Sequence, residues 1–348
     1  MKGFSVVILA AGKGERMISA KPKVMHEIMG SPMVGYVIEK AQALSPTNIV
    51  AVLGFGRESV EGYVRNLGVE CAFQDGQKGT AHAVLAAERF VDGNDVLVLY
   101  GDVPLIEKET LEAFLSFYRK ADGIVFMTTD VDNPTGYGRV VVHGDHIERI
   151  VEEIDCTPDE RAIHRINTGI CVIPGRLFGL LKDIRADNKK GEFYLTDICR
   201  MAQKEGLTVR AYQHTTAAEV LGINSRKELL EANVIMKNRM LHYHTGRGVT
   251  ILDRNVYIES TVTISKDTTI YPNVHIMGNT HIGSGVTIGP NVLMRDCIIR
   301  DGVVVDGFGV MEGAEIQEGA KVPPFSKIGS RTVLKKGAVI WSFTEVEG

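Results

Sequence analysis

The chain has 348 residues, 44% of them apolar and 24% charged, and a net charge of −4. That length exceeds one ordinary core and predicts two domains. The charge balance excludes a general attraction to nucleic acid or to a membrane surface, and no apolar run approaches the ~20 residues of a spanning helix. The N-terminus runs straight into a strand without the cleavage site of a signal peptide. The five cysteines (Cys71, Cys156, Cys171, Cys199 and Cys297) are scattered and never spaced C-x-x-C. This is the pattern of reduced, buried thiols in a cytoplasmic protein, and it argues against a zinc site or a disulfide framework.

The first element in chain order is an apolar strand, Val6–Ala10, followed by Ala11-Gly12-Lys13-Gly14-Glu15-Arg16-Met17 and Lys21-Pro22-Lys23. Two glycines let the backbone turn tightly and approach a ligand. Lys13, Arg16, Lys21 and Lys23 crowd the turn and its exit. Backbone N–H groups with convergent cations suit a triphosphate. Gly14 is followed by Glu15 rather than Lys-Ser/Thr, and position 17 is Met, so neither a P-loop nor a dinucleotide fingerprint is present.

Further strands are predicted at Ile49–Leu53, Val96–Tyr100, Ile124–Thr128 and Ile170–Ile173. Helices are predicted at Met33–Leu44, Thr80–Arg89, Lys108–Tyr118 and Tyr194–Gln203. The alternation predicts an α/β domain over 1–224 with a mostly parallel, doubly wound (Rossmann-like) sheet. Ligands bind such sheets at the carboxyl ends of the strands. The glycine turn lies there, and so does Gly101-Asp102.

Ser225-Arg226-Lys227-Glu228 reads as a capping box opening a linker helix over 225–248, with an apolar stripe at Leu230, Val234 and Leu241. From 249 to 348 the period becomes six. Ile258, Ile264, Ile270, Ile276, Ile282, Ile288 and Met294 keep one phase. The pattern then slips by two residues and resumes at Ile298, Val304, Val310, Ile316, Val322, Ile328, Leu334 and Ile340. A six-residue period fits no helix face. It is the hexapeptide β-helix signature, and fifteen such positions make about five coils, each rising roughly 4.8 Å.

Several ordered blocks carry a resemblance. They are Leu9–Gly14 with Arg16-Met17, Pro22-Lys23-Val24, Gln74 with Gly79-Thr80-Ala81-His82-Ala83, Tyr100–Leu105, Gly136-Tyr137-Gly138-Arg139, Ile150-Val151-Glu152, Asn167-Thr168-Gly169, Gly191–Tyr194 with Thr196-Asp197, and Gly222-Ile223-Asn224. In this order they resemble the bacterial N-acetylglucosamine-1-phosphate uridyltransferases. That family is usually bifunctional, with an N-terminal nucleotidyltransferase domain and a C-terminal left-handed β-helix that acetylates glucosamine 1-phosphate. The likeness spans the N-terminal domain and the start of the β-helix.

The resemblance implies a reaction between UTP and N-acetylglucosamine 1-phosphate that releases pyrophosphate, with Mg2+ as cofactor. It implies that Ala11, Gly12, Gly14, Arg16 and Lys23 hold the nucleotide phosphates, with Lys23 nearest the reacting phosphorus and Arg16 sharing the catalytic role. Gln74, Gly79 and Thr80 match uracil contacts. Gly138, Glu152 and Asn167 match sugar positions, and Asp102 and Asn224 match metal ligands. A homotrimer assembled through the β-helix is the implied assembly.

Three departures accompany it. Glu15 stands where the family commonly has Thr, placing a carboxylate near phosphates unless it points outward. The family's acetyltransferase histidine and coenzyme A contacts have no counterpart; His275 and His281 read as ordinary outward side chains, so a short form without acetyltransferase activity is expected. The repeats from Ile298 onward diverge from the family pattern. Alternatives are a nucleotidyltransferase for another sugar 1-phosphate such as glucose 1-phosphate, a non-catalytic regulatory relative, and an acyltransferase suggested by the hexads.

Overall fold

A computed structural model describes residues 3–346. The first two and last two positions of the expected spans 1–224 and 249–348 lie outside the described residues. The chain forms two compact units. One comprises the chain up to His26 with Pro32–Glu228; the other takes in Glu27–Ser31 and everything from Leu229 onward.

In the first unit, nine strands of the described residues make one sheet. They are β1 (Phe4–Ala10), β2 (Asn48–Leu53), β3 (Glu70–Phe73), β4 (Asp95–Tyr100), β5 (Gly123–Asp130), β6 (Arg139–His143), β7 (His146–Val151), β8 (Arg165–Ile173) and β9 (Thr208–Gln213). The order is β3-β2-β1-β4-β8-β5-β9-β7-β6. The first four strands pair in parallel, as does β9 with β5. β8 is inserted antiparallel between β4 and β5, and β6 and β7 form an antiparallel hairpin. The sheet is therefore mixed, with its parallel part at the N-terminal end.

Burial on both faces explains the apolar runs. Val7 and Leu9 pack into one core with Val96 and Val98. Val6, Ile8 and Ala10 pack into the other with Leu97 and Leu99. The expected helices form at Met33–Ala43 and Lys108–Tyr118, while Thr80–Leu85 and Glu88–Val91 are two short helices rather than one.

The second unit is a β-helix of three parallel sheets. Ile258, Ile264, Ile270, Ile276, Ile282, Ile288 and Met294 are buried in its column as expected. Between Met294 and Ile316 the phase differs from the sequence reading, while Ile316, Val322, Ile328 and Leu334 are again buried as expected. Ile299, Val305 and Met311 face inward, whereas Val310 is 46% exposed and Ile298 and Val304 are half-buried. Two hexads are each one residue short, between Met294 and Ile299 and between Met311 and Ile316, in place of one slip of two. Accordingly Thr269 pairs with Thr287, eighteen residues on, but Thr287 pairs with Val304, seventeen on. Consecutive aliphatics such as Val303-Val304-Val305 hide the phase, because either neighbour could fill the column.

The helix Arg226–Thr245 also buries a different stripe from that expected. Leu229, Ala232, Met236 and Leu241 are buried, while Leu230 and Val234 are 65% and 53% exposed. Leu229 and Leu230 are adjacent, so apolar spacing alone fits two faces. Within this unit the Met29 N–H donates to Asn233 Oδ1 at 3.1 Å, and Ser260 N–H to the Met29 carbonyl at 3.0 Å.

Candidate active site

The glycine turn follows β1, and its geometry depends on Gly14. This residue has φ 67° and a Cβ there would sit 2.6 Å from the Lys23 β-carbon. A side chain at this position would be strained and would displace the lysine stem. Gly14 is thus a packing partner of Lys23 and is not among the residues lining the cleft. Glu15 is exposed and pairs with Lys13 at 3.4 Å, so its carboxylate points outward. Arg16 stands at the mouth of the cleft.

The Lys23 ammonium donates to the Asp102 carboxylate and, at 3.0 Å, to Asn224 Oδ1. Both charged side chains are nearly buried, 13% and 12% exposed. Asp102 follows β4, and its carbonyl accepts from Ile223 N–H at 2.8 Å. Asn224 is fixed two ways. Its amide nitrogen donates to the Gly222 carbonyl at 2.9 Å. Its backbone N–H donates to Glu228 Oε2 at 2.6 Å. The expected capping box then holds the next residue, with Ser225 N–H on Glu228 at 2.9 Å and Glu228 N–H on Ser225 Oγ at 3.3 Å. Arg226 Nε donates to the Met17 carbonyl at 3.2 Å, tying the glycine turn to the helix start.

These groups open on a cleft of about 420 Å³ at the carboxyl ends of β1 and β4. Of the expected residues, Ala11, Gly12, Arg16, Lys23, Gln74, Gly79, Thr80, Asp102 and Asn224 line it. Gly79 has φ 113°, and a Cβ would lie 2.5 Å from the Phe193 carbonyl oxygen, so the close approach admits only glycine. The Thr80 hydroxyl accepts from Leu195 N–H at 2.9 Å. Gln74 Nε2 donates to the Gly79 carbonyl at 2.9 Å and faces His82 Nδ1 at 3.2 Å. A carbonyl only accepts, so this bond fixes which end of the amide is nitrogen. Gln74 Oε1 is the end left to accept from a ligand.

Gly138, Glu152 and Asn167 do not line this cleft. They gather beside it. Asn167 N–H donates to the Gly138 carbonyl at 2.8 Å, and a Cβ on Gly138 would stand 3.5 Å from the Glu152 carboxylate. Glu152 borders a smaller cavity of about 240 Å³ with Asp155, Tyr194, Thr196 and Asp197. Burial pushes the Glu152 carboxyl up from its ordinary range, partly offset by the Thr196 hydroxyl at 3.2 Å. The Tyr194 hydroxyl is buried with no hydrogen-bond partner among the described residues.

Gln77, Tyr100, Tyr137, Thr168 and Glu192 also line the main cleft. Most lie inside the blocks that carry the family resemblance, yet nothing in their spacing shows which way they point. Gln77 Nε2 donates to the Ala11 carbonyl at 3.1 Å and braces the turn. Burial raises the Tyr137 hydroxyl pKa. Arg139, fully buried, pairs with Glu153 at 2.6 Å and donates to the Tyr137 carbonyl, holding the Gly136–Gly138 segment.

Among the described residues no group of three or more His, Cys, Asp or Glu side chains is gathered to hold a metal. A magnesium ion needs only one or two protein oxygens, with phosphates and waters completing its shell. Asp102 and Asn224 offer two hard oxygens converging on one cation, so the residues present fit that ion.

A glycine turn at the ends of parallel strands, with cations and a carboxylate around one cleft, defines a nucleotidyltransferase-type domain, here joined to a hexapeptide β-helix. The chain belongs to the MobA-like NTP transferase domain family, matched over residues 6–194. Residues 261–296 match the bacterial transferase hexapeptide (six repeats), the left-handed β-helix repeat. The chain is similar to the "Bifunctional protein GlmU" of Pelotomaculum thermopropionicum, 42% identical over 267 residues, which is 75% of this chain and 58% of that protein. It is likewise similar to the GlmU of Thermus thermophilus, 40% identical over 262 residues, 74% of this chain and 58% of that protein. The match thus spans a little over half the length of these relatives. Among solved structures, a UDP-glucose pyrophosphorylase complexed with UDP-glucose aligns with a TM-score of 0.57 at 21% identity. It covers 68% of this chain and 99% of its own. The inositol-1-phosphate CTP transferase from T. maritima aligns at 0.53 and 20% identity, covering 68% and 97%. At such identities these two establish the fold alone.

Proposed function

We propose that this chain transfers the uridylyl group of UTP to N-acetylglucosamine 1-phosphate, giving UDP-N-acetylglucosamine and pyrophosphate, with Mg2+ as cofactor. The observation that carries this reading is the convergence of Lys23, Asp102 and Asn224 beside the glycine turn. The sugar-phosphate oxygen attacks the α-phosphorus in line and pyrophosphate leaves. Such transfers depend on positioning and charge neutralisation more than on proton transfer. The Gly12–Met17 backbone and Arg16 hold the phosphates. Lys23 neutralises charge at the α-phosphate. Asp102 and Asn224 would hold the magnesium ion, which when bound would supply Lewis-acid neutralisation of the two mutually repelling anions.

Base choice follows from Gln74. Its locked amide presents an acceptor, which suits the ring N–H of uracil and not the lone pair that cytosine carries at the same place. Glu152 and Asn167 offer acceptors and a donor for sugar hydroxyls, next to the Gly138 backbone. The five cysteines, all free and buried, suit a reducing cytoplasm, and no helix among the described residues is long and apolar enough to cross a membrane. Acetyl transfer is not proposed for these coils. His281 Nδ1 shares a hydrogen bond with Thr263 Oγ1 at 2.7 Å, and His275 packs on the Tyr257 ring. Both serve coil-to-coil ladders. Pyrophosphate release across UTP, CTP, dTTP and GTP, each with N-acetylglucosamine 1-phosphate and glucose 1-phosphate, tests the assignment. Turnover fastest with UTP and the acetylated sugar supports it; preference for glucose 1-phosphate, or no release with any pair, rejects it. Thiol release from acetyl-CoA with glucosamine 1-phosphate would add acetyl transfer to the assignment.

A further inference from the structure

Lys23 occupies the point at which the two hard oxygens of Asp102 and Asn224 meet. Nothing about this arrangement is loose. Lys23 opens a short 3-10 turn, Lys23–Met25, behind Pro22, and Gly14 leaves room for its stem. Asn224 cannot turn its nitrogen toward the lysine, because that nitrogen is held by the Gly222 carbonyl. Asp102, 8% exposed, is a carboxylate that would be costly to leave buried without a partner.

An ammonium and a divalent ion cannot share two oxygens at hydrogen-bonding distance, since their charges repel and their ligands are the same. We propose that Lys23 is the resident cation of the metal seat in the nucleotide-free protein, and that a divalent ion enters only as Lys23 swings out to the phosphates. This rests on the reading of Asp102 and Asn224 as metal ligands. The Lys23 stem has four flexible carbons, and Gly12 and Arg16 line the same cleft, so the exchange needs one side chain to move and no backbone rearrangement. Metal and nucleotide affinities are then coupled, and the coupling is reciprocal. Free magnesium does not load the empty enzyme, and Asp102 is never left unpaired.

The test is Mn2+ binding to the full chain without nucleotide, read from loss of the free-ion electron paramagnetic resonance signal. Lys23→Met keeps the stem and removes the charge. It should bind Mn2+ at least about tenfold more tightly than the wild type, and Lys23→Met/Asp102→Asn should lose that gain. Mn2+ should also raise the melting temperature of Lys23→Met more than that of the wild type, a readout that stands even where the variant is less stable. Equal Mn2+ affinity in wild type and Lys23→Met overturns the inference. UTP binding with and without Mn2+ separates the two readings. If Asp102→Asn loses the Mn2+ enhancement while Lys23→Met binds the ion no better, only the resident-cation inference fails. If Asp102→Asn keeps the enhancement, the metal reading fails and takes the inference with it.

Discussion

Glu152 shows how a buried carboxyl can act at the expense of the fold. Burial holds its carboxyl above the ordinary range, so the ionised form is disfavoured in the folded chain. A carboxyl raised in this way favours folding while protonated and loses that advantage as pH rises through its folded pKa. Glu152→Gln should therefore raise the melting temperature at pH 7 more than at pH 4, while lowering kcat/KM for the sugar phosphate. Calorimetry at both pH values with steady-state kinetics checks both halves. Glu153 behaves oppositely. The Arg139 guanidinium and the Gly136 N–H hold its carboxyl below the usual value of 4.5. Its stabilising effect is full above that value and is lost as pH falls through the depressed pKa. Glu153→Gln leaves the Arg139 guanidinium buried without its carboxylate and should cost ~2–3 kcal/mol at pH 7, below the range for a fully buried pair because a third of Glu153 meets water. Urea unfolding should show that deficit shrinking toward acid pH. For the chemistry, Lys23→Ala should lower kcat by about 10²–10³ if its charge neutralises the transition state; rapid-quench turnover measures this. The types and order of Lys23, Asp102 and Asn224 were legible in the sequence. Their mutual contact was not, since Lys23 and Asp102 lie 79 residues apart and only the sheet brings them together.

The elements divide by how strongly local chemistry specifies them. The capping box at Ser225-Glu228 was readable because Ser and Glu three apart satisfy orphan N–H groups without help from elsewhere. The strands β1, β2 and β4 were readable because burial on both faces demands continuous apolar runs. β6, β7 and β9 carry alternating or polar residues at the C-terminal part of the sheet, and β3 is only four residues long, so they gave little signal. In the β-helix the six-residue period was plain, yet the phase between Met294 and Ile316 was decided by corners. Asp296 and Gly313, at φ 52° and 58°, sit where the two shortened hexads turn. The same coils carry an asparagine ladder, Asn255-Asn273-Asn291. Stacked phenylalanines, Phe308-Phe325-Phe343, continue it, with ring centroids 5.2 and 5.0 Å apart. Ile282, central in the column and 3% exposed, makes the sharpest test. Ile282→Ala should cost roughly 2–5 kcal/mol from lost transfer energy and a cavity, read by denaturant unfolding. A smaller cost would mean that the coils relax around the gap.

At the scale of the molecule, the β-helix carries outward apolar side chains such as Val310, Val333 and Val339, which favour burial against another surface. Association of copies through this unit is the expected outcome. Analytical ultracentrifugation at micromolar concentration should give three times the 38.1 kDa chain mass, and a monomer would reject the trimer. The division into units is not collinear with the sequence, because Glu27–Ser31 belongs with the β-helix. No change of composition marks that segment. Its allegiance comes from hydrogen bonds to Asn233 and Ser260, more than 200 residues later.

By itself the sequence determined the two architectures, the glycine turn and several of the groups that line the cleft. Periodicity, glycine placement and residue chemistry are local properties, and local forces enforce them. Tertiary structure alone decided which aliphatic of a pair fills the β-helix column, which amide end Gln74 turns to the cleft, and that Lys23 sits between Asp102 and Asn224. Each of these depends on a partner far along the chain, and competition for space and hydrogen bonds acts only once the partners meet.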